Sequence, residues 1–327
     1  MERSRRAPKK AERSPPALRI GARGSPLALA QAEMFAQRLR AMAGERIRYT
    51  IHPYTTTGDK ILDRPLQDAG GKGLFTKELD RAQKAGEIDI AVHSLKDMTV
   101  RLPRHLFLAA YLPREDPRDC LIGPYRSIQE LPQGAVVGSS SLRRRSQLLA
   151  LRPDLKVVMF RGNVQTRLRK LSEGEADATL LAAAGLKRLG MIEAAGAILP
   201  IEELLPAGGQ GIIGITLHVD APEWLKAACA ATDDREARLA AVAERAFLRR
   251  LDGSCRTPIA AHFRLTPEGA EMWGEVLADD GGRRWRAEGA LSRYPSERDA
   301  QELGLFLAED VASHRAADLG TELPEPK

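Results

Sequence analysis

Residues 18–29 read LRIGARGSPLAL, an apolar run that passes through a glycine turn into a helical pattern. Leu18–Gly21 is predicted to be a strand. Ser25 before Pro26 is typical of a helix N-cap followed by proline at the first helical position. A strand that leads directly into a helix is the basic unit of α/β architecture. The helix is predicted to run from Leu27 to about Met42, with its inner side formed by Leu27, Ala30, Met34 and Leu39.

The same strand-to-helix unit recurs along the chain. Further strands are predicted at Tyr49–Tyr54, Ile88–His93, Ala135–Gly138, Lys156–Phe160, Ala178–Ala182 and Ile212–Leu217. Further helices are predicted at Leu74–Ala85, Leu142–Leu151, Val164–Leu171, Ala183–Leu189 and Arg235–Leu251.

The positions of proline-rich and apolar segments indicate the domain organisation. The proline-rich residues 113–117 mark a crossover between two sheet domains, and Ile212–Leu217 is expected to return to the first sheet. Residues after Ile259 indicate a small α+β unit. The predicted fold class is therefore α/β with a small α+β C-terminal domain, and the predicted limits are 17–113 with 212–231 for domain 1, 118–207 for domain 2 and 234–327 for domain 3.

Composition excludes several classes of protein. The 327 residues carry a formal charge of +6, and six Lys/Arg against two Glu in residues 1–16 place +4 of it in a tail that we expect to be disordered. The near-neutral remainder argues against a general nucleic-acid binder. Three cysteines without a CxxC pair support neither a disulfide framework nor a zinc ribbon, and reduced thiols suit a cytosolic protein. No stretch predicts a membrane span or a signal peptide, and no histidine set predicts a metal.

Polar segments follow several predicted strands, where α/β proteins gather their ligands. We therefore expect one interdomain cleft lined by Arg23 and Ser25, the Thr-Gly-Asp turn at 57–59, Lys96 and Asp97, Ser139–Ser141, and Arg161. Arginine is always charged and its planar fork fits a carboxylate, so this cleft suits a small molecule with several carboxylates.

Each of these residues also has a plainer interpretation. Asp97 is either a general acid/base in the cleft or a helix cap beside Lys96. Ser139–Ser141 either bind an anion at a helix start or simply cap the helix. Arg143, Arg144 and Arg145 cannot all point the same way on a helix, so at least one is expected at the surface. Arg167 is the better ligand candidate than Arg169, because Arg167 lies one turn from the helix start.

Cys255 lies in a glycine-marked turn, Asp252–Pro258, and is either structural or the anchor of a covalent attachment. A Cys–His hydrolase would use His262, but no third orienting group is evident. Cys120 and Cys229 are expected to be packing residues. The glycine-rich segment 69–73 is either a mobile lid or a connecting turn, and its spacing is not that of a P-loop.

These segments together resemble one family, porphobilinogen deaminase, also called hydroxymethylbilane synthase. The resemblance covers roughly residues 18–265. It is carried in order by 23–29, 70–79, 89–97, 114–119, 138–144, 161–164, 184–190, 209–211 and 253–255.

The resemblance implies two periplasmic-binding-protein-like domains plus a small α+β domain that carries the cysteine. It implies a dipyrromethane cofactor joined to Cys255 through a thioether, onto which four porphobilinogens are added head to tail with release of ammonia, before hydrolysis frees hydroxymethylbilane. It also implies Asp97 as the catalytic residue. The expected cofactor-binding residues are Lys96, Ser140, Arg143, Arg144 and Arg188, the substrate-binding residues are Arg23, Ser25, Arg161 and Arg167, and the loop residues over the cleft are Lys72 and Phe75. The expected partner is porphobilinogen alone, without metal, nucleic acid or membrane, and a monomer is expected.

Two departures from the family pattern concern loops. Thr99 follows Met98 where the family often has proline, and Asp68 stands where some members have lysine. Two interpretations from other classes remain open: a non-enzymatic receptor for an anion, which gives Cys255 no role, and an RNA-associated protein that binds through its basic tail.

Overall fold

The structure is a computed structural model that describes residues 17–45, 47–61, 73–251 and 257–321. The predicted basic tail, residues 1–16, lies outside these ranges, and so do Lys72 and Cys255. The strands of the described residues are β1 (Leu18–Arg23), β2 (Tyr49–Tyr54), β3 (Ile90–Ser94), β4 (Leu106–Tyr111), β5 (Asp119–Ile122), β6 (Val136–Gly138), β7 (Lys156–Val158), β8 (Ala178–Ala182), β9 (Ala197–Ile198), β10 (Ile213–His218), β11 (Ile259–Thr266), β12 (Gly269–Leu277) and β13 (Arg284–Leu291).

The described helices are α1 (Pro26–Ala43), α2 (Thr57–Lys60), α3 (Lys77–Lys84), α4 (Leu142–Leu151), α5 (Val164–Ser172), α6 (Ala183–Arg188), α7 (Glu223–Ala230), α8 (Arg235–Arg250) and α9 (Glu297–Leu319). Short 3₁₀ turns lie at Leu95–Asp97 and Ile192–Ala194. Within the described ranges, no helix combines the length and the apolar character needed to cross a lipid bilayer.

The first sheet has the strand order β2-β1-β3-β10-β4. Strand β1 is parallel to β2 and β3, and β10 is antiparallel to both β3 and β4. The prediction that Ile212–Leu217 returns the chain to the first sheet is therefore confirmed. The core of this unit includes the fully buried Ile20, Phe35, Ile90 and Ile213. Burying a side chain of this size contributes about 2 kcal/mol.

Helix α1 begins as its sequence predicts but presents a different face to the sheet. The Ser25 hydroxyl accepts a hydrogen bond from the Ala28 N–H at 3.3 Å, and Pro26 is the first helical residue. The predicted inner face is wrong at Leu27, Ala30 and Met34, and Met34 is 44% exposed. The buried face consists of Ala28, Gln31, Ala32, Phe35, Ala36 and Leu39. Helix α1 packs against the sheet through the face that carries Phe35, because burying the Phe35 ring removes more apolar surface from water than burying Met34 would.

The second sheet repeats the arrangement of the first with the order β7-β6-β8-β5-β9. Strand β6 is parallel to β7 and β8, and β5 is antiparallel to β8 and β9. Strand β5 thus occupies the place that β10 has in the first sheet. This shared strand order is what two similar binding-protein-like domains require.

The C-terminal unit is a three-stranded antiparallel sheet, β11-β12-β13, packed against α8 and α9. The two helices approach closely at Gly304, where a Cβ atom would lie 2.2 Å from the Ala243 carbonyl oxygen. Glycine is therefore required there for the helices to meet. The α/β fold class with a small C-terminal α+β unit is confirmed, while the residue limits of the three domains stay a prediction.

Two crossover segments run side by side between the two sheets: the first crossover at residues 112–118, between β4 and β5, and the second crossover at residues 199–212, between β9 and β10. The Glu115 N–H donates to the Gly211 carbonyl at 3.1 Å, and the Leu112 N–H donates to the Ile213 carbonyl at 3.0 Å. The carboxyl ends of parallel strands β1 and β3 in one sheet, and β6 and β8 in the other, lead into the polar segments identified from the sequence. The site is therefore built from strand ends of both sheets.

Candidate active site

Five of the predicted site residues line one small cavity at the end of the first sheet. This cavity has a volume of about 70 Å³ and its lining includes Arg23, Ser25, Phe75, Lys96 and Asp97. Arg23 ends β1, Ser25 caps α1, and Lys96 and Asp97 lie in the 3₁₀ turn that follows β3. The spacing along the sequence had placed these residues at strand ends, and the parallel order of β1 and β3 brings them together.

Arg23 is held between two carboxylates and an aromatic ring. Its Nη2 pairs with Asp59, its Nη1 lies 3.4 Å from Asp97 Oδ2, and its guanidinium lies 4.1 Å from the centre of the Phe75 ring. Burial alone would raise the pKa of Asp59, but hydrogen bonds from Arg23 and Thr56 outweigh it and lower the pKa. Asp59 was recognised from the sequence only as part of a polar turn, because its pairing with Arg23 spans 36 residues.

Phe75 also seals the turn that carries Asp59. A Cβ atom on Gly58 would lie 2.3 Å from the Phe75 ring, so glycine is required for this contact. The Gly58 carbonyl accepts a hydrogen bond from Arg161 Nη2 at 3.1 Å. Because Arg161 follows the second sheet's strand β7, this bond joins the two sides of the cleft.

Arg143 and Arg144 converge on one buried carboxylate, Asp119. Asp119 Oδ2 accepts from Arg143 Nη2 at 2.7 Å, and Asp119 Oδ1 accepts from Arg144 Nη2 at 2.6 Å. Asp119 is fully buried, and burial would raise its pKa, but the two guanidinium groups hold the pKa below its usual range. Arg145 is exposed, so the expectation that one of the three arginines lies at the surface is confirmed.

Lys96 reaches the same cluster through Gln210. Lys96 Nζ donates to Gln210 Oε1 at 3.1 Å, and Gln210 Nε2 donates to Asp119 Oδ1 at 2.9 Å. Lys96 keeps solvent-exposed surface within the cleft, yet the protein atoms around it, followed by the charge of Arg144, lower the pKa of Lys96 to about 8. Asp119 and Gln210 belong to segments that resemble the family, but nothing in their local sequence indicated that they contact each other.

The serines before α4 act on the backbone. The Ser141 hydroxyl accepts from the Arg144 N–H at 3.4 Å, so helix capping is confirmed for Ser141. The Ser140 hydroxyl oxygen accepts from the Phe160 N–H at 3.1 Å. Its own hydrogen remains a donor, which is what contact with a carboxylate would use.

Arg167 and Arg188 approach the cleft from the second unit. Arg167 Nε donates to the Gly162 carbonyl at 2.9 Å. Burial, with Arg144 and Arg161 next, lowers the pKa of Arg167 to about 10, and the charge of Asp97 opposes that shift. Arg167 therefore lies within electrostatic range of Asp97. Arg169, in contrast, is exposed and pairs with Glu173 at 2.8 Å, as expected of a surface residue.

Arg188 lies beside the second crossover segment. Its Nη2 donates to the Gly211 carbonyl at 2.6 Å. Burial lowers the pKa of Arg188 to about 10, and the nearby Glu115 opposes this shift. Arg188 thus faces the segment that carries Gln210.

Two family models match this chain. Residues 18–226 match the family model described as "Porphobilinogen deaminase, dipyromethane cofactor binding domain", and residues 238–313 match "Porphobilinogen deaminase, C-terminal domain". The chain belongs to the porphobilinogen deaminase family.

Curated porphobilinogen deaminases are similar over most of their length. The protein from Paracoccus denitrificans is 50% identical over 305 residues, which cover 92% of this chain and 95% of that one. The chloroplastic protein from Oryza sativa subsp. japonica is 52% identical over 269 residues, 81% of this chain and 75% of that one. Among solved structures, the VFT2 domain of Bordetella pertussis BvgS overlaps with a TM-score of 0.40 at 15% identity, over 66% of this chain and 86% of that one, a likeness too low to bear on function.

The charges of the cleft fit the dipyrromethane group that the porphobilinogen deaminase model names. Buried Nε atoms of Arg143, Arg144 and Arg188 have no hydrogen-bond partner among the described residues. Against the positive charges of Arg23, Lys96, Arg143, Arg144, Arg161 and Arg167 stand the negative charges of Asp59, Asp97 and Asp119. This excess of positive charge among the described residues favours an anionic partner, and a molecule with several carboxylates supplies one.

The two described cysteines are unsuited to carry a covalent cofactor. Cys120 and Cys229 are fully buried free thiols, so their packing role is confirmed. Burial raises the pKa of Cys120 to about 11 and that of Cys229 to about 12, which makes both unreactive. His262 is buried against Trp273, and burial lowers its pKa to about 2, so it is unsuited to act as a base for a cysteine.

Proposed function

We propose that this chain condenses four porphobilinogen molecules head to tail onto a dipyrromethane primer on Cys255, releases ammonia at each step, and frees hydroxymethylbilane by hydrolysis. The observation that carries the proposal is the carboxylate of Asp97, the acidic side chain that the described residues place in the lining of the cavity beside Arg23 and Lys96. Arg23 lies 3.4 Å from it, and Arg167 lies within its electrostatic range. This arrangement provides one acid/base amid several groups that bind carboxylates.

The arginines and Lys96 would hold the carboxylates. Each pyrrole ring carries an acetate and a propionate, so every addition brings two further negative charges. We assign Lys96, Ser140, Arg143, Arg144 and Arg188 to the cofactor. We assign Arg23, Ser25, Arg161 and Arg167 to the incoming substrate. Guanidinium groups can bind carboxylates through two parallel hydrogen bonds, which fixes orientation as well as position.

Asp97 would transfer protons and stabilise positive charge at the reacting ring. When bound, the dipyrromethane supplies the pyrrole carbon on which the chain is built. The Asp97 carboxylate can move a proton at the substrate amine and stabilise positive charge at a pyrrole nitrogen. Arg23 Nη1 lies 3.4 Å from that carboxylate, and the Phe75 ring covers Arg23 from one side.

Intact mass spectrometry tests the proposal. Protein purified from cells that make porphobilinogen should carry the mass of a two-pyrrole adduct, and Cys255→Ala should lack it. Cys120→Ala is the matched control and should keep the adduct, because Cys120 is a buried thiol in β5. A bare chain mass in the wild-type protein would instead favour a receptor for anions.

We further propose that the enzyme acts in the cytoplasm as a monomer. The free thiols of Cys120 and Cys229 suit a reducing compartment. Light scattering of the adduct-bearing protein would reveal an oligomer if one forms.

A further inference from the structure

The side-chain amide of Gln210 connects charged groups from both sides of the cleft. Its Nε2 donates to Asp119 Oδ1 at 2.9 Å and to the Pro117 carbonyl at 2.6 Å, while its Oε1 accepts from Lys96 Nζ at 3.1 Å. The two acceptors on one side and the ammonium on the other determine which way the amide points. Gln210 is 1% exposed, so losing one of these hydrogen bonds would leave a buried polar atom without a water molecule to replace its partner.

The backbone at this position is held independently of the side chain. The Gln210 N–H donates to the Ala207 carbonyl at 2.9 Å, and the Gln210 carbonyl accepts from Arg114 Nε at 2.9 Å. Gly209 and Gly211 on either side have φ angles of 79° and 89°, which only glycine adopts readily. The crossover segment is therefore shaped without the amide, and the amide is available for another role.

Both oxygens of Asp119 accept from arginines, and among the described residues Gln210 is the side chain that joins Lys96 to Asp119. A direct Lys96–Asp119 pair would compete with Arg143 and Arg144 for the same carboxylate. The neutral amide instead holds one ammonium hydrogen and leaves two free to bind a ligand. The network thus spaces three cations around one buried anion.

We propose that Gln210 is a positioning residue that holds Lys96 in register with Arg143 and Arg144, so that the carboxylates of the dipyrromethane meet all three cations at once. This inference rests on the proposed function. It assigns to the second crossover segment a part in assembling the cofactor, in addition to joining the two sheets.

Gln210→Met tests the inference, because methionine keeps the volume and removes the hydrogen bonds. Gln83→Met is the matched control. Gln83 is also a buried amide, and it donates to the Thr216 carbonyl at 2.8 Å and accepts from the Thr216 hydroxyl at 2.8 Å, in the first unit. Both variants lose one buried amide, but only one loses contact with Lys96.

The first measurement is the fraction of purified protein that carries the two-pyrrole adduct. We expect this fraction to fall at least three-fold in Gln210→Met and to stay at the wild-type level in Gln83→Met, with both proteins melting cooperatively. In a Lys96→Met background, Gln210→Met should cause no further loss, because the amide acts through the lysine.

The second measurement is the alkaline limb of the turnover rate. Burial lowers the pKa of Lys96 most, the charges of Arg144 and Arg143 also lower it, and those of Asp97 and Asp119 raise it. Removing the Gln210 acceptor destabilises the charged ammonium, so its pKa falls further below about 8. A rate that needs the charged form is then lost at lower pH, and we expect the limb of Gln210→Met, but not of Gln83→Met, to move down in pH.

Full adduct together with an unshifted alkaline limb in Gln210→Met would overturn the inference while leaving the proposed function intact. A wild-type protein without adduct would overturn both. If Gln210→Met does not melt cooperatively, Gln210→Asn takes its place, since its amide remains polar but is one methylene too short to join Lys96 to Asp119. The same two outcomes then decide.

Discussion

Arg114 and Glu244 form a buried ion pair, with 2.6 Å between Arg114 Nη1 and Glu244 Oε1, where the first crossover meets helix α8. The Glu244 side chain is completely buried and also accepts from the Phe263 N–H at 2.8 Å. Arg114 donates in addition to the Gln210 carbonyl at 2.9 Å. One ion pair therefore fastens the C-terminal unit, in whose sequence Cys255 lies, to both crossovers of the cleft.

Glu244→Ala should lower the free energy of unfolding by about 3–5 kcal/mol, because it leaves the Arg114 guanidinium buried without its anion. Chemical denaturation measures this loss. Glu271→Ala is the control, since its pair with Arg264 at 2.7 Å is largely exposed and should be worth no more than about 1 kcal/mol. Equal losses in the two variants would contradict a role for burial.

Asp97→Ala should reduce turnover by about 10²-fold to 10⁴-fold, the usual contribution of a general acid/base. The reason is loss of the carboxylate that lines the cavity beside Arg23, while Arg23 keeps its pair with Asp59. Steady-state rates and thermal melting check both parts. A near-wild-type rate would remove Asp97 from the catalytic assignment, and a lost melting transition would make the rate uninformative about chemistry.

Arg143→Ala should impair cofactor assembly or stall elongation at intermediates that mass spectrometry can resolve. Arg145→Ala provides a control on the same helix, because Arg145 is exposed whereas Arg143 is 6% exposed and contacts Asp119. We expect Arg145→Ala to assemble and elongate normally. Normal assembly and elongation in Arg143→Ala would argue against a carboxylate-binding role.

Asp119 should make the stability of the protein depend on acidity. Its folded-state pKa lies below that of an unfolded aspartate, about 3.9, because Arg143 and Arg144 outweigh burial. The stabilisation is therefore fully present above that value and is lost as pH falls below it. Melting temperatures between neutral pH and about pH 3 should fall less steeply in Asp119→Asn than in wild type. Asp220→Asn, at a side chain that is 87% exposed, should follow the wild-type curve.

Local sequence rules predicted the elements that depend on neighbouring residues. The strands Tyr49–Tyr54 and Ala178–Ala182 and the helix Leu142–Leu151 have the bounds expected from their patterns. Asn163 caps α5 as predicted, through a 2.8 Å hydrogen bond from the Thr166 N–H. The predicted strand Lys156–Phe160 ends at Val158, and Leu106–Tyr111 was not recognised as a strand although it is β4.

The sequence also predicted some residues of the candidate site but not their contacts. The sequence pattern placed Arg23, Lys96 and Asp97 at strand ends, and they do line one cavity. The sequence pattern did not predict the partners of the arginines. Asp119 contacts Arg143, 24 residues away in the sequence, and Gln210, 91 residues away. A hydrogen-bonding partner at such a distance leaves no periodic signal, because only the order of strands in the sheets brings the two segments together.

The sequence by itself determined most of the helices and many of the strands, that the body is α/β, and that the cleft is rich in arginine, since helix caps and apolar periodicity act within a few residues. Tertiary structure alone decided which face of α1 is buried and which anion each arginine meets. Those choices depend on how much apolar surface each packing removes from water and on the need of every buried charge for a partner.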